Sequence, residues 1–120
     1  MMTREEYNTF CGGLVATTHV IQWGNADVWK VGGKVFAIGG WHDDNPAYTF
    51  KVSPLAFEVL GDAPGCRPAP YLASRGMKWI QVTGNDTLTD VSIQEHIKSS
   101  YDMIAAALSK KKQRELGLID

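Results

Sequence analysis

The chain has 120 residues, with 12 lysines and arginines against 13 aspartates and glutamates, for a formal net charge of −1. That length suits a single core and predicts one domain over residues 1–120 rather than two. A near-neutral chain excludes strong non-specific nucleic-acid binding driven by net charge, no apolar run approaches the ~20 residues that cross a bilayer, and the lack of a basic-then-apolar start makes the cytoplasm the expected compartment.

In chain order, Thr3-Arg4-Glu5-Glu6 reads as a capping box, in which a hydroxyl and a carboxylate satisfy free N–H groups at a helix start. Tyr7, Phe10 and Leu14 follow at helical spacing, and Gly12-Gly13 stop the helix. Thr17 to Gln22 reads as a strand, and Trp23-Gly24-Asn25-Ala26 as a turn. The next stretch, Asp27 to Ile38, organises the rest. Two runs of β-branched and aromatic residues flank Gly32-Gly33, which predicts a hairpin with a two-residue turn. Such a turn pairs Val31 with Lys34, Lys30 with Val35 and Trp29 with Phe36. It puts Trp29, Val31, Phe36 and Ile38 on an apolar face, and Val28, Lys30, Val35 and Ala37 on the other.

Gly39-Gly40 through Asn45-Pro46 reads as a polar loop, and Tyr48 to Val52 alternates as a strand. Ser53-Pro54 starts a short helix carrying Leu55, Phe57, Val59 and Leu60, which Gly61 ends. Arg67 to Leu72 is extended, and its prolines place it at a sheet edge. After a turn at Ser74-Arg75-Gly76, Met77 to Val82 is a strand. The last and longest helix starts between Thr89 and Ser92 and buries Ile93, Ile97, Tyr101, Ile104 and Leu108. Lys110, Lys111, Lys112 and Arg114 then stand at its C-terminal end, opposing the macrodipole. The fold class is therefore α+β: an antiparallel sheet with helices on one face, in the order α-β(3-4)-α-β(2)-α. The expected core is Trp29, Phe36, Ile38, Phe50, Ile97, Tyr101 and Ile104. The two cysteines, Cys11 and Cys66, are expected as free thiols.

Several segments together resemble the MmcQ/YjbR family: Cys11-Gly12-Gly13-Leu14, Gln22-Trp23-Gly24, Trp29 to Ala37, Lys51-Val52-Ser53-Pro54, Pro68-Ala69-Pro70-Tyr71-Leu72, Lys78-Trp79-Ile80 and Ser99-Ser100-Tyr101. The match covers nearly the whole chain. It departs where the family often has a proline after the first helix and this chain has Val15. The resemblance implies a frataxin-like or secretion-chaperone-like arrangement of helices over a sheet. It also implies DNA binding through a double wing, that is, two β-hairpins lying along the backbone. The hairpin candidates are the Val31–Lys34 turn, with Lys34, and the Leu72–Lys78 turn, with Arg75 and Lys78. The frataxin likeness would suggest iron on an acidic first helix, but Glu5 and Glu6 are too few, and no metal site is expected.

The functional candidates follow from charge. Residues 28–82 hold six basic side chains, Lys30, Lys34, Lys51, Arg67, Arg75 and Lys78, against Asp43, Asp44, Glu58 and Asp62. With Tyr48, Phe50, Val52, Ile80 and Val82 facing the helices, Lys30, Thr49, Lys51, Trp79 and Gln81 share the other sheet face. Lysines beside an aromatic ring suit a phosphate backbone and a stacked base. The expected nucleic-acid-binding set is Lys30, Lys34, Lys51, Arg75, Lys78 and Trp79, and the expected partner is double-stranded DNA, weakly held. The competing view of Trp79 is that it packs under a loop. His42-Asp43-Asp44 has metal-ligand chemistry without a binding loop around it and reads as a solvated loop. His19, His96, Cys11 and Cys66 have no catalytic partner at sequence spacing. No acid/base pair or nucleophile-base pair is visible, so no enzyme and no cofactor are expected. The alternative function is a protein-interaction module that receives a partner chain on its sheet.

Overall fold

In the computed structural model, which describes residues 1–120, the chain runs α1 (Arg4–Gly12), β1 (Thr17–Gln22), β2 (Ala26–Val31), β3 (Lys34–His42), β4 (Asn45–Lys51), α2 (Pro54–Gly61), β5 (Cys66–Pro68), β6 (Trp79–Val82), α3 (Asp90–Ala106) and α4 (Lys110–Glu115), with a 3-10 turn at Ala73–Arg75. The six strands form one antiparallel sheet in the order β1-β2-β3-β4-β6-β5. The fold is α+β as expected, with α1, α2 and α3 packed against the sheet. The capping box forms in full, and Ser53 and Thr89 cap α2 and α3. No helix is long and apolar enough to cross a membrane. Both cysteines are free.

The organising hairpin has the expected turn. Val31 pairs with Lys34 and Lys30 with Val35, and Gly32 and Gly33 both take positive φ, 59° and 80°. A Cβ on Gly33 would meet nothing within 4 Å, so the requirement there is purely conformational. Gly33→Val should lower stability by about 1–2 kcal/mol, the usual cost of a left-handed β-branched residue. Chemical denaturation checks this, and an unchanged midpoint would refute the two-residue turn.

Beyond Lys30 the register departs from expectation. Trp29 pairs with Ala37, not Phe36, because a β-bulge intervenes. Phe36 and Ala37 therefore point to the same side, and both are fully buried in the core. The bulge rotates Ile38 onto the opposite face, which removes it from the expected core. Phe36, Phe50, Ile97 and Tyr101 are buried as expected, while Trp29 and Ile104 pack against the core from its rim. A bulge strands backbone groups that a regular ladder would pair. Here the buried Ser100 of α3 takes them up: its hydroxyl donates to the Phe36 carbonyl at 2.7 Å and accepts from the Lys51 N–H at 3.0 Å.

Two further expectations fail for identifiable reasons. Gly39 to His42 is not loop but the second half of β3, pairing onward to β4 across a tight Asp43-Asp44 turn. Its glycine has a packing role, since a Cβ on Gly39 would lie 2.5 Å from Cε2 of Tyr7. The last helix is broken in two. Ser109 caps a separate α4, so Lys110 and Lys111 begin that helix instead of ending α3. The end of α3 is satisfied instead by the buried Gln113, whose amide donates to the carbonyls of Leu108 at 2.7 Å and Ala106 at 3.3 Å.

Candidate nucleic-acid interface

Strand register decides which basic residues meet. Lys30 lies at the end of β2, Lys34 at the start of β3, Lys51 at the end of β4, and Lys78 just before β6. With all pairs antiparallel in the order β2-β3-β4-β6, these positions fall at one end of the sheet, one from each of four neighbouring strands. Adjacent strands are ~4.8 Å apart, so the row spans on the order of 14 Å. Lys34 and Lys78 are exposed, and Lys30 and Lys51 are half-buried. Lys78 rests its ammonium 4.8 Å from the Phe57 ring centre while staying exposed. None of the four is in an ion pair. The segment entering α4 reaches the same end, since the Leu108 side chain lies against Gly32.

The remaining two expected residues behave differently. Trp79 is on the predicted face, paired with Lys51, but is only 5 % exposed. It cannot offer its ring to a base, so the packed reading of Trp79 is the correct one. Arg75 is exposed but lies in the chain between β5 and β6, where it lines a cavity that none of the four lysines borders. That chain is not a tight hairpin wing. It makes a 3-10 turn and lines, with Ile38, Thr49 and Gln81 of the sheet's second face, a cavity of about 720 Å³. Two exposed aromatic residues, Trp23 and Tyr71, also border it, whereas the Trp41 ring lies on the helix side of the sheet under Arg4. Sequence reasoning missed this group. Trp23 reads from sequence only as a turn residue and as part of the family-like Gln22-Trp23-Gly24, and Ile38 falls on the wrong face because alternation cannot reveal a bulge.

The histidines resolve into packing roles. His19 Nε2 is 2.7 Å from Oδ1 of Asp27, and Arg4 holds the other carboxylate oxygen. Arg4 also donates to the Gly40 carbonyl and stacks on Trp41. Burial pushes the Asp27 carboxyl up, but hydrogen bonds from Arg4, His19 and Asn8 outweigh it and hold the group below the usual carboxylate range. With a depressed folded pKa, the stability this cluster gives is present above pH ~4 and is lost as pH falls through the folded value. The buried Cys11 behind it, its thiol pushed up to about 12 by burial, is no nucleophile at neutral pH. His96 stacks on Phe50 at 5.4 Å, and burial pulls its pKa down. His42 Nδ1 accepts from Arg67 at 3.2 Å, and its Nε2 lies 3.3 Å from exposed Asp43. No group of three or more His, Cys, Asp or Glu side chains converges as a metal site would require.

A family model described as YjbR matches residues 13–103. The protein DR2400 of Deinococcus radiodurans, whose crystal structure is described as a DUF419 domain, superposes with a TM-score of 0.84 at 25 % identity, covering 100 % of this chain and 91 % of that one. A Pseudomonas syringae protein superposes with a TM-score of 0.67 at 21 % identity, covering 86 % of this chain and 99 % of that one, which speaks to the fold. No curated protein matches.

Proposed function

The chain belongs to the YjbR family, and on that premise we propose that it is a non-enzymatic domain that holds double-stranded DNA by its phosphate backbone. One observation carries this reading: four strands each bring a lysine, Lys30, Lys34, Lys51 and Lys78, to one end of the sheet, with no carboxylate pairing any of them. A local field of this kind suits a polyanion even though the chain as a whole is slightly acidic. Nothing in the row forms a donor and acceptor pattern for base edges, so the binding is sequence-independent.

With about four phosphates contacted, log K should fall against log salt with a slope of about −3 to −4, and the dissociation constant should lie in the ~10⁻⁴–10⁻⁶ M range of non-specific binders. Lys34→Glu with Lys78→Glu should abolish binding and leave the melting temperature nearly unchanged, because both side chains are exposed. Fluorescence anisotropy of a labelled duplex at low and moderate salt measures both. A wild type that leaves the duplex free at low salt refutes the proposal, as does a double variant that binds equally well.

A separate observation favours the protein-partner reading. β1 is an edge strand of six residues without proline or lysine, and Ile21 on it is 64 % exposed. Such an edge can accept a strand from another chain. Should DNA fail to bind, that edge is where a partner is to be sought.

A further inference from the structure

We propose that the cavity on the sheet's second face binds a nucleoside phosphate, with the base stacked on its exposed aromatic rings and the phosphate held by Arg67 and Arg75. The site is separate from the lysine row and does not depend on it. Its volume, about 720 Å³, is in the range of small-ligand sites. Trp23 and Tyr71 at its border are 63 % and 85 % exposed, two large rings displayed around one opening. Both are held there by strained backbone: Trp23 has φ 53° and Tyr71 φ 69°, a conformation bulky residues rarely take and one concentrated at functional sites.

Charge narrows the ligand. Two arginines and no aspartate or glutamate line the cavity. Neither Arg75 nor Arg67 has a carboxylate partner, and Arg67 donates from Nε to Gln81 Oε1 at 2.8 Å and from Nη2 to His42 Nδ1 at 3.2 Å. Gln81 therefore keeps its amide N–H groups for a ligand. A flat ring system joined to an anion uses both features. A proline-rich peptide would leave the arginines unmatched.

The test titrates a short labelled oligodeoxythymidylate, a blunt duplex of the same length and thymidine 5′-monophosphate at low salt. Tyr71→Ala should weaken the single strand about tenfold, as loss of one stacked base does, and Arg75→Glu at least as much, with duplex affinity changed by less than about twofold. Lys34→Glu with Lys78→Glu should do the reverse, so the two proposals fall separately. Quenching of tryptophan emission, lost in a Trp23→Phe variant, gives a second readout through Trp23. Displacement by thymidine 5′-monophosphate would identify a free nucleotide as the ligand, and binding of the oligonucleotide without such displacement would identify an unpaired strand. Absence of both ligands from the wild type overturns the proposal, and so does binding that the Tyr71→Ala, Arg75→Glu double variant retains in full.

Discussion

Gly39→Ala should lower stability by about 3 kcal/mol, while Gly40→Ala, one residue further on, should leave it unchanged or slightly raised. Neither glycine needs positive φ, so the contrast isolates packing. A Cβ on Gly39 would stand 2.5, 2.9 and 3.0 Å from three carbons of the Tyr7 ring, and on Gly40 it would meet nothing within 4 Å. The ring has nowhere to retreat. Tyr7 is fully buried, its hydroxyl donates to the Asp27 carbonyl at 3.0 Å, and its ring lies 4.9 Å from that of Tyr48. Overpacking a core site of this kind costs ~1–3 kcal/mol by itself, and displacing α1 adds to that. At Gly40 the lost backbone freedom of the unfolded chain favours alanine by ~0.4–1 kcal/mol. Paired denaturation curves decide the matter, and equal effects at the two positions would show that ring-to-strand contact is not the cause.

Raising the pH from 9 to 11 should remove on the order of 4 kcal/mol of stability. Three groups in one part of the core resist ionisation there. Burial pushes the Cys11 thiol and the Tyr48 hydroxyl up to about 12, and the Tyr7 hydroxyl well above its ordinary value. In the unfolded chain they release protons near pH 9 and 10, while the folded chain keeps them. The unfolded state then binds fewer protons, so stability falls as pH rises, by up to ~1.4 kcal/mol per pH unit for each group once the pH passes the value at which it ionises in the unfolded chain, about 9 for the thiol and about 10 for the two phenols. Cys11→Ala should flatten the earliest part of that decline, starting near pH 9. Thermal melts across the alkaline range measure both slopes, and a wild-type melting temperature flat to pH 11 would contradict the prediction.

Much of the architecture was legible in the sequence because local chemistry dictated it. Thr3, Ser53 and Thr89 cap helices where they stand, Gly32-Gly33 permits only one kind of turn, and the prolines of the Arg67 segment confine β5 to an edge. What was not legible depended on distant partners. Gly39 read as a chain breaker because Tyr7, 32 positions earlier, was not yet known to lie on it. The bulge at Phe36 could not be inferred from β3 alone, since its stabilising partner Ser100 comes from α3. Trp79 was placed on the correct face, yet period-two alternation does not tell a face open to solvent from one covered by a later segment. The lysine row was half legible. Lys34 and Lys78 read as turn residues and Lys30 and Lys51 as residues of one sheet face, but their convergence at one sheet end follows from strand order. The aromatic border of the cavity left no periodic signal, because Trp23 and Tyr71 lie outside the strands.

The sheet that collects lysines at one end collects carboxylates at the other. The β3–β4 turn, with exposed Asp43 and Asp44, is a full strand's length from the Gly32-Gly33 turn. The start of α1, with Glu5 and Glu6, lies at that far end too, since Arg4 reaches the carbonyls of Asn25 and Gly40. A net charge of −1 therefore conceals a molecule with two electrical poles. Near a charged surface such a body turns before it touches, and it arrives end-on. A polyanion draws in the lysine pole while the acidic pole is pushed outward, so bound copies would stand upright along it and present their carboxylates to whatever comes next. The orienting torque fades beyond the screening distance of ~8 Å at physiological salt, which leaves the alignment to the last few ångströms of approach.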